Sequence, residues 1–267
     1  MTGSNAYHKS FTRNCLIIIM VVLLGGCKAG RNSESDAYFQ DSKISDLAGN
    51  PKDSSVFYLP MDMKSKDSEI NNGMDPFISK WISSMLYYLK EPVLYNRYLG
   101  KDIFRLLYLD NRPLVISMVN DHGRITITTK VLNHALDPNK PGKHISFYRS
   151  YDNKKTTRDG DIYYGYQIDE TELPPLKVIL NRTKVLSRKE WDEFNAKLDS
   201  IDYFKMEPSD EAGRGYGQRK DIVLESHSKE KYWMVHRKSF DYDLVRCCQY
   251  LIELSSIKDD GIITSIN

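Results

Sequence analysis

Ile103-Phe104-Arg105-Leu106-Leu107-Tyr108-Leu109, then Asp110-Asn111-Arg112-Pro113, then Leu114-Val115-Ile116-Ser117-Met118-Val119-Asn120, is the stretch whose reading decides the fold. Two short, mostly apolar runs separated by turn-forming residues read as two β-strands. Asp121-His122-Gly123 supplies a second turn. In Arg124 to Leu132, Ile125, Ile127 and Val131 alternate with Arg124, Thr126, Thr128 and Lys130. A period of two marks a half-buried strand with one wet face. Three strands joined by such short turns form an antiparallel meander.

Upstream, Asp75-Pro76 opens a helix, with Asp75 as N-cap and Pro76 at the first helical position, where its missing N–H costs nothing. Phe77, Ile78, Trp81, Ile82, Met85, Leu86 and Leu89 follow at helical spacing, and Pro92 closes the segment. Val56-Phe57-Tyr58-Leu59-Pro60 is expected as a short edge segment. Downstream, His144–Arg149 and Asp161–Ile168 read as strands joined by the charged loop Asp152-Asn153-Lys154-Lys155, and Leu176–Val185 as another. Ser187 with Glu190 is a capping box opening a second helix, whose buried stripe is Trp191, Phe194, Leu198 and Ile201. Asp221–His227 and Lys231–Arg237 form a hairpin. A last helix from Asp241 carries Leu244, Val245, Cys248, Leu251 and Ile252 on one side, and the tail after Ile257 is expected to fray.

These elements define an α+β class: an antiparallel, meander-rich, tyrosine-rich sheet packed against about three helices. Residues 56–267 are expected to form a single domain, while the element order also allows two lobes divided near 170–187.

The N-terminus has a different character. Residues 1–14 carry Lys9 and Arg13 and no acid; Cys15 to Leu24 (CLIIIMVVLL) carry no polar side chain but the first cysteine; Gly25, Gly26 and Cys27 follow. This is the layout of a secretory signal, and the apolar run is about half the roughly 20 residues that a membrane span needs. Leu24-Gly25-Gly26-Cys27 resembles the lipobox of bacterial lipoproteins. The resemblance implies cleavage after Gly26 and acyl chains on Cys27. Lys28, where an inner-membrane retention signal would place aspartate, leans towards the outer membrane. Residues 1–26 are thus expected to be a signal peptide and residues 27–55 a flexible polar tether.

Cleavage there also changes the charge. The chain has 38 basic and 36 acidic residues; losing Lys9 and Arg13 leaves 36 of each. With no excess positive charge to release counterions from a polyanion, nucleic acid is a poor partner.

The chemistry is narrowed by spacing. Gly213-Arg214-Gly215-Tyr216-Gly217 precedes a strand, whereas a dinucleotide loop follows one and opens a helix. His122, His134, His144, His227 and His236 form no metal-binding pair. His227 should face Tyr232 across the hairpin, leaving His236 about 13 Å further along, too far to share an ion. Cys247 and Cys248 read as packing residues on one helix, the alternative being a reactive thiol or an intermolecular disulfide. No cofactor is expected and no catalytic residue is assigned. The carboxylates Glu207, Asp210, Glu211, Asp221 and Glu225, gathered around one loop, are the only candidates for acid–base chemistry.

The runs IFRLLYLDNRPLVISMVNDHGRITITTKVL, WDEFNAKLDSIDYFKM, VLE, KYWMVHR and CCQYLIELSSI together resemble a family of uncharacterised bacterial secreted and lipid-anchored proteins, over roughly residues 76–257. Glu225 and Tyr232 fall on its recurrent positions. The resemblance implies no activity. The expectation is therefore a lipid-anchored envelope protein, facing the periplasm from the outer membrane, that works by binding a protein partner as a scaffold or inhibitor-like module; the alternative is an envelope hydrolase using the carboxylates of 207–225.

Overall fold

The structure is a computed structural model, and it describes residues 38–60, 63, 74, 76–110, 112–135, 143–156, 162–209, 221–237 and 242–260. In chain order the elements are α1 (Pro76–Tyr88), β1 (Asp102–Leu109), β2 (Leu114–Asp121), β3 (Arg124–Leu132), β4 (Lys143–Thr156), β5 (Ile162–Glu172), β6 (Val178–Leu186), α2 (Arg188–Ser200), β7 (Asp221–His227), β8 (Tyr232–Arg237) and α3 (Tyr242–Ser255). Six strands form one antiparallel sheet in the order β6-β3-β2-β1-β7-β8, and β4 pairs with β5 in a sheet of two. With three helices on six antiparallel strands, the fold is α+β.

β1 lies inside the sheet, paired with β2 on one edge and β7 on the other. Every residue from Ile103 to Leu109 is buried. A strand covered on both faces has no wet side, so its sequence is nearly continuous apolar rather than alternating. β3, one place from the sheet's edge, keeps the alternation. The tight turn between β2 and β3 places His122 (φ 50°) and Gly123 (φ 91°) both at positive φ, as a two-residue hairpin turn of matching twist requires. Asn120 Oδ1 accepts from the Gly123 N–H and fixes it.

One face of the sheet is apolar. Phe104, Leu106, Ile116, Ile127, Leu224 and Val235 pack there against α2 (Trp191, Phe194, Leu198) and α3 (Leu244, Cys247, Cys248, Leu251). The Ser187–Glu190 capping box forms as expected. Phe104 contacts Trp191 and Phe194 with ring centroids 5.1 and 5.0 Å apart. The other face is covered by α1 and by irregular chain from both sides of it. The Tyr58 N–H donates to Ser83 Oγ on α1, and Leu59, Ile82, Met85, Leu86 and Leu94 are fully buried.

Several expectations are corrected. Residues 38–55, expected within a flexible tether, pack on this domain: Tyr38 and Ser45 are buried, and Asn96 clamps the segment through Asp41 and Ser45. The folded body therefore extends N-terminal of the expected limit at 56. Val56–Pro60 is not a strand but an irregular segment anchored by buried Tyr58 and Leu59. Asp152–Lys155 lies inside β4 rather than in a loop; the ladder shifts register between Ser150, opposite Gly165, and Lys154, opposite Tyr164. The charged run marks a bulge. No lobe boundary falls within 178–186, because β6 completes the main sheet beside β3. The tail expected to fray after Ile257 begins instead as a 3-10 turn, Ile257–Asp260, with Ile257 buried; residues 261–267 lie outside the described residues. Asp75 lies outside the described residues.

Candidate functional site

The polar side chains of interest sit on the sheet face opposite α2 and α3. Because Phe104 and Leu106 point into the helical core, the pleat turns Arg105 to the other side. The strand registers then line up one row across five strands: Glu225 opposite Arg105, Arg105 opposite Ser117, Ser117 opposite Thr128, and Thr128 opposite Thr183. Arg105 is 1% exposed and Glu225 fully buried, with Nε 2.6 Å from Oε2. Tyr232 donates its hydroxyl to Glu225 Oε1 at 2.9 Å. Glu225 and Tyr232 are thus diagonal neighbours sharing a hydrogen bond.

Arg105 Nη1 donates to the Pro92 carbonyl at 2.7 Å and lies 3.9 Å from Glu91 Oε2. Burial works against the Arg105 charge, but Glu225 and then Glu91 raise its pKa above the ordinary guanidinium value. Burial also pushes the Tyr232 hydroxyl well above the usual phenol range, with Glu225 adding to the shift. Glu91 Oε1 in turn holds Lys130 Nζ at 2.7 Å, and Lys130 also donates to the Leu89 carbonyl at 2.8 Å. Two cations and two carboxylates therefore alternate in one chain: Glu225, Arg105, Glu91, Lys130. Each buried charge has its counter-ion, without which the desolvation cost would be prohibitive.

Glu91 is put there by the way α1 ends. The Glu91 N–H donates to the Leu86 carbonyl and the Lys90 N–H to the Tyr87 carbonyl, and Lys90 has φ 54°. This is a Schellman termination with lysine in the left-handed position that glycine usually fills. The turn reverses the chain so that Lys90 and Glu91 both border an open cleft of about 180 Å³, lined also by Lys101, Arg105, Ser117 and Lys130.

Two histidines, His227 and His236, have buried structural settings. His227, opposite Tyr232 as expected, is 1% exposed. Its Nε2 accepts from the Leu99 N–H at 3.0 Å, so Nδ1 carries the proton and donates to the Leu94 carbonyl at 2.8 Å. Tyr98 stacks on the ring at 5.4 Å. Burial drives its pKa down to about 4. His236 is held by Asp221 at 2.9 Å, both buried, while Ser209 Oγ stands 3.4 Å from the other ring nitrogen, at the weak end of hydrogen bonding. The His236 N–H donates to the Pro208 carbonyl and Arg237 to that of Glu207, which ties residues 207–209 alongside β8. No group of three or more potential metal ligands converges among the described residues.

The carboxylates named from sequence are dispersed. Glu207 is exposed, while Asp221 and Glu225 each serve a separate buried partner. Four residues apart on one strand, they lie about 13 Å from each other. His144 lies in β4, opposite Thr171 of β5; Asp210, Glu211, the glycine run Gly213–Gly217 and the lipobox residues Gly26 and Cys27 lie outside the described residues. Cys247 and Cys248 are buried in the helical core, where the packing reading put them.

Sequence reasoning passed over Arg105, Glu91, Lys90, Lys101 and Lys130. One signal was available: a lone charge inside an apolar strand must find a buried partner. No family model, curated protein or solved structure matches the chain.

Proposed function

We propose that the chain is a lipid-anchored binding module of the bacterial cell envelope, attached through acyl chains on Cys27 and facing the periplasm from the outer membrane. The observation that carries this reading is Leu24-Gly25-Gly26-Cys27 at the end of the short apolar run. More than one acyl chain is needed for stable attachment, since a single chain holds only marginally. Among the described residues no helix is long and apolar enough to cross a membrane. Binding is preferred to hydrolysis because Asp221 and Glu225 are spent on buried partners and stand too far apart to act as a pair.

Metabolic labelling with a palmitate analogue, followed by membrane fractionation, tests the anchor. The wild-type chain should carry label and sediment with membranes, and Cys27→Ser should lose both. Label or membrane association that survives Cys27→Ser would overturn the reading.

A further inference from the structure

The cleft beside β1, β2 and β3 gathers fixed positive charge, and one residue that lines it, Arg105, carries an unmet hydrogen-bond donor. Four cations line it (Lys90, Lys101, Arg105, Lys130) against one carboxylate, Glu91. Glu225 neutralises Arg105 from behind, and Asp121, outside the cleft, feels the charge of Lys101, so cations still outnumber the acids around the cleft. Nη2 of Arg105 is buried and has no hydrogen-bond acceptor among the described residues. A buried donor left without an acceptor costs free energy until one is supplied.

Glu91 occupies the cleft unevenly. Its Oε1 is bound tightly to Lys130, but its Oε2 is 3.4 Å from Ser117 Oγ and 3.9 Å from Arg105. Both contacts exceed the 2.5–2.9 Å of a well-formed charge-assisted bond. The internal carboxylate thus fills the place beside Arg105 loosely.

We propose that this cleft binds a phosphate group, free or as the head of a larger molecule, which displaces Glu91 Oε2 from Arg105 and offers an oxygen to Nη2. Four cationic side chains converging on one cleft suit the roughly −1.5 to −2 of a phosphate monoester near neutral pH, whereas a carboxylate brings only one charge. Lys90 and Lys101 at the rim supply the point charges that suit phosphate without demanding a fork geometry. The inference rests on the binding-module reading but not on the lipid anchor.

Titration calorimetry on the full chain, solubilised in non-ionic detergent, tests it with two probes: inorganic phosphate and glycerol 3-phosphate. One-to-one binding is expected, with a Kd of about 1 mM or tighter for at least one probe. A preference for inorganic phosphate identifies the free ion as ligand, and a preference for glycerol 3-phosphate identifies a headgroup. The double variant Lys90→Gln/Lys101→Gln, altered only at the rim, should weaken binding at least tenfold, and Glu91→Gln should tighten it. Absence of saturable binding of both probes, binding unchanged in the double variant, or weaker binding by Glu91→Gln would each overturn the proposal. None of these results depends on membrane attachment, so failure here and failure of the anchor are separate outcomes.

Discussion

Arg105 and Glu225 stand directly opposite each other across the β1–β7 ladder, Nε to Oε2 2.6 Å, both shut away from water although 120 residues apart in the chain. Removing one partner of such a pair leaves the other charge buried and unmatched, at about 3–5 kcal/mol. Arg105→Met should therefore lower the urea unfolding free energy by about that amount. The double variant Arg105→Met/Glu225→Leu should recover much of the loss, because no lone charge is then left between β1 and β7. Urea titrations of the two variants check this; a double variant no better than the single would show that the pair is not an isolated unit.

His227 gives the domain a pH dependence of defined sign. The unfolded imidazole takes up a proton near pH 6.5, while the buried one refuses it until about pH 4. Its contribution to stability is complete above about 6.5, falls as the pH is lowered through the interval, and levels off below about 4. The loss is at most about 3 kcal/mol. His227→Gln should flatten that part of the urea-midpoint-versus-pH curve, and an unchanged slope would place the dependence elsewhere.

Lys90 holds a left-handed backbone conformation that costs a non-glycine residue roughly 1 kcal/mol or more. Lys90→Gly should stabilise the domain by about 0.5–1 kcal/mol while weakening phosphate binding, opposite effects from one substitution. Thermal melts read the first and calorimetry the second.

Cys247 and Cys248 are 1% and 0% exposed on the buried side of α3. Both thiols should resist a thiol-specific dye in the native protein and react together at the rate of unfolding. Rapid labelling of either in the native state would contradict the packing of α3 on the sheet.

At Ser187 the hydroxyl caps Glu190 N–H while the Glu190 carboxylate reaches back to the Ser187 N–H at 2.6 Å. Ser187→Ala should cost about 1 kcal/mol in urea unfolding.

The strands of the meander were legible almost to the residue, because Asp110–Pro113 and Asp121–Gly123 are turn chemistry flanked by apolar runs. The same logic misplaced the β4–β5 connection, since charged residues serve bulges as readily as loops. It also missed the order of residues 38–55, whose hydrogen bonds are largely local: Asp46 accepts from the N–H groups of Ala48 and Asn50, and Asp41 from that of Lys43. Such turns leave no periodic signal. The cleft was invisible for another reason. Its residues come from the end of α1 and from three strands, and only the registers of β1 with β2 and β7 show that Arg105, Ser117 and Glu225 share one row. The small net charge, +2 for the full chain, concealed it too, because a nearly balanced total says nothing about how charges are distributed.

The position of β1 also governs the order in which the protein can be assembled. A chain emerging N-terminus first can zip β1, β2 and β3 together at once, since only short turns separate them. The other edge of β1 must wait for Asp221–His227, more than a hundred residues later. Until then the future middle of the sheet is an unpaired apolar border, open to any passing strand. Cutting the chain anywhere before β7 would make that interval permanent, so the C-terminal hairpin doubles as the cover that closes this edge of β1 to another copy of the chain.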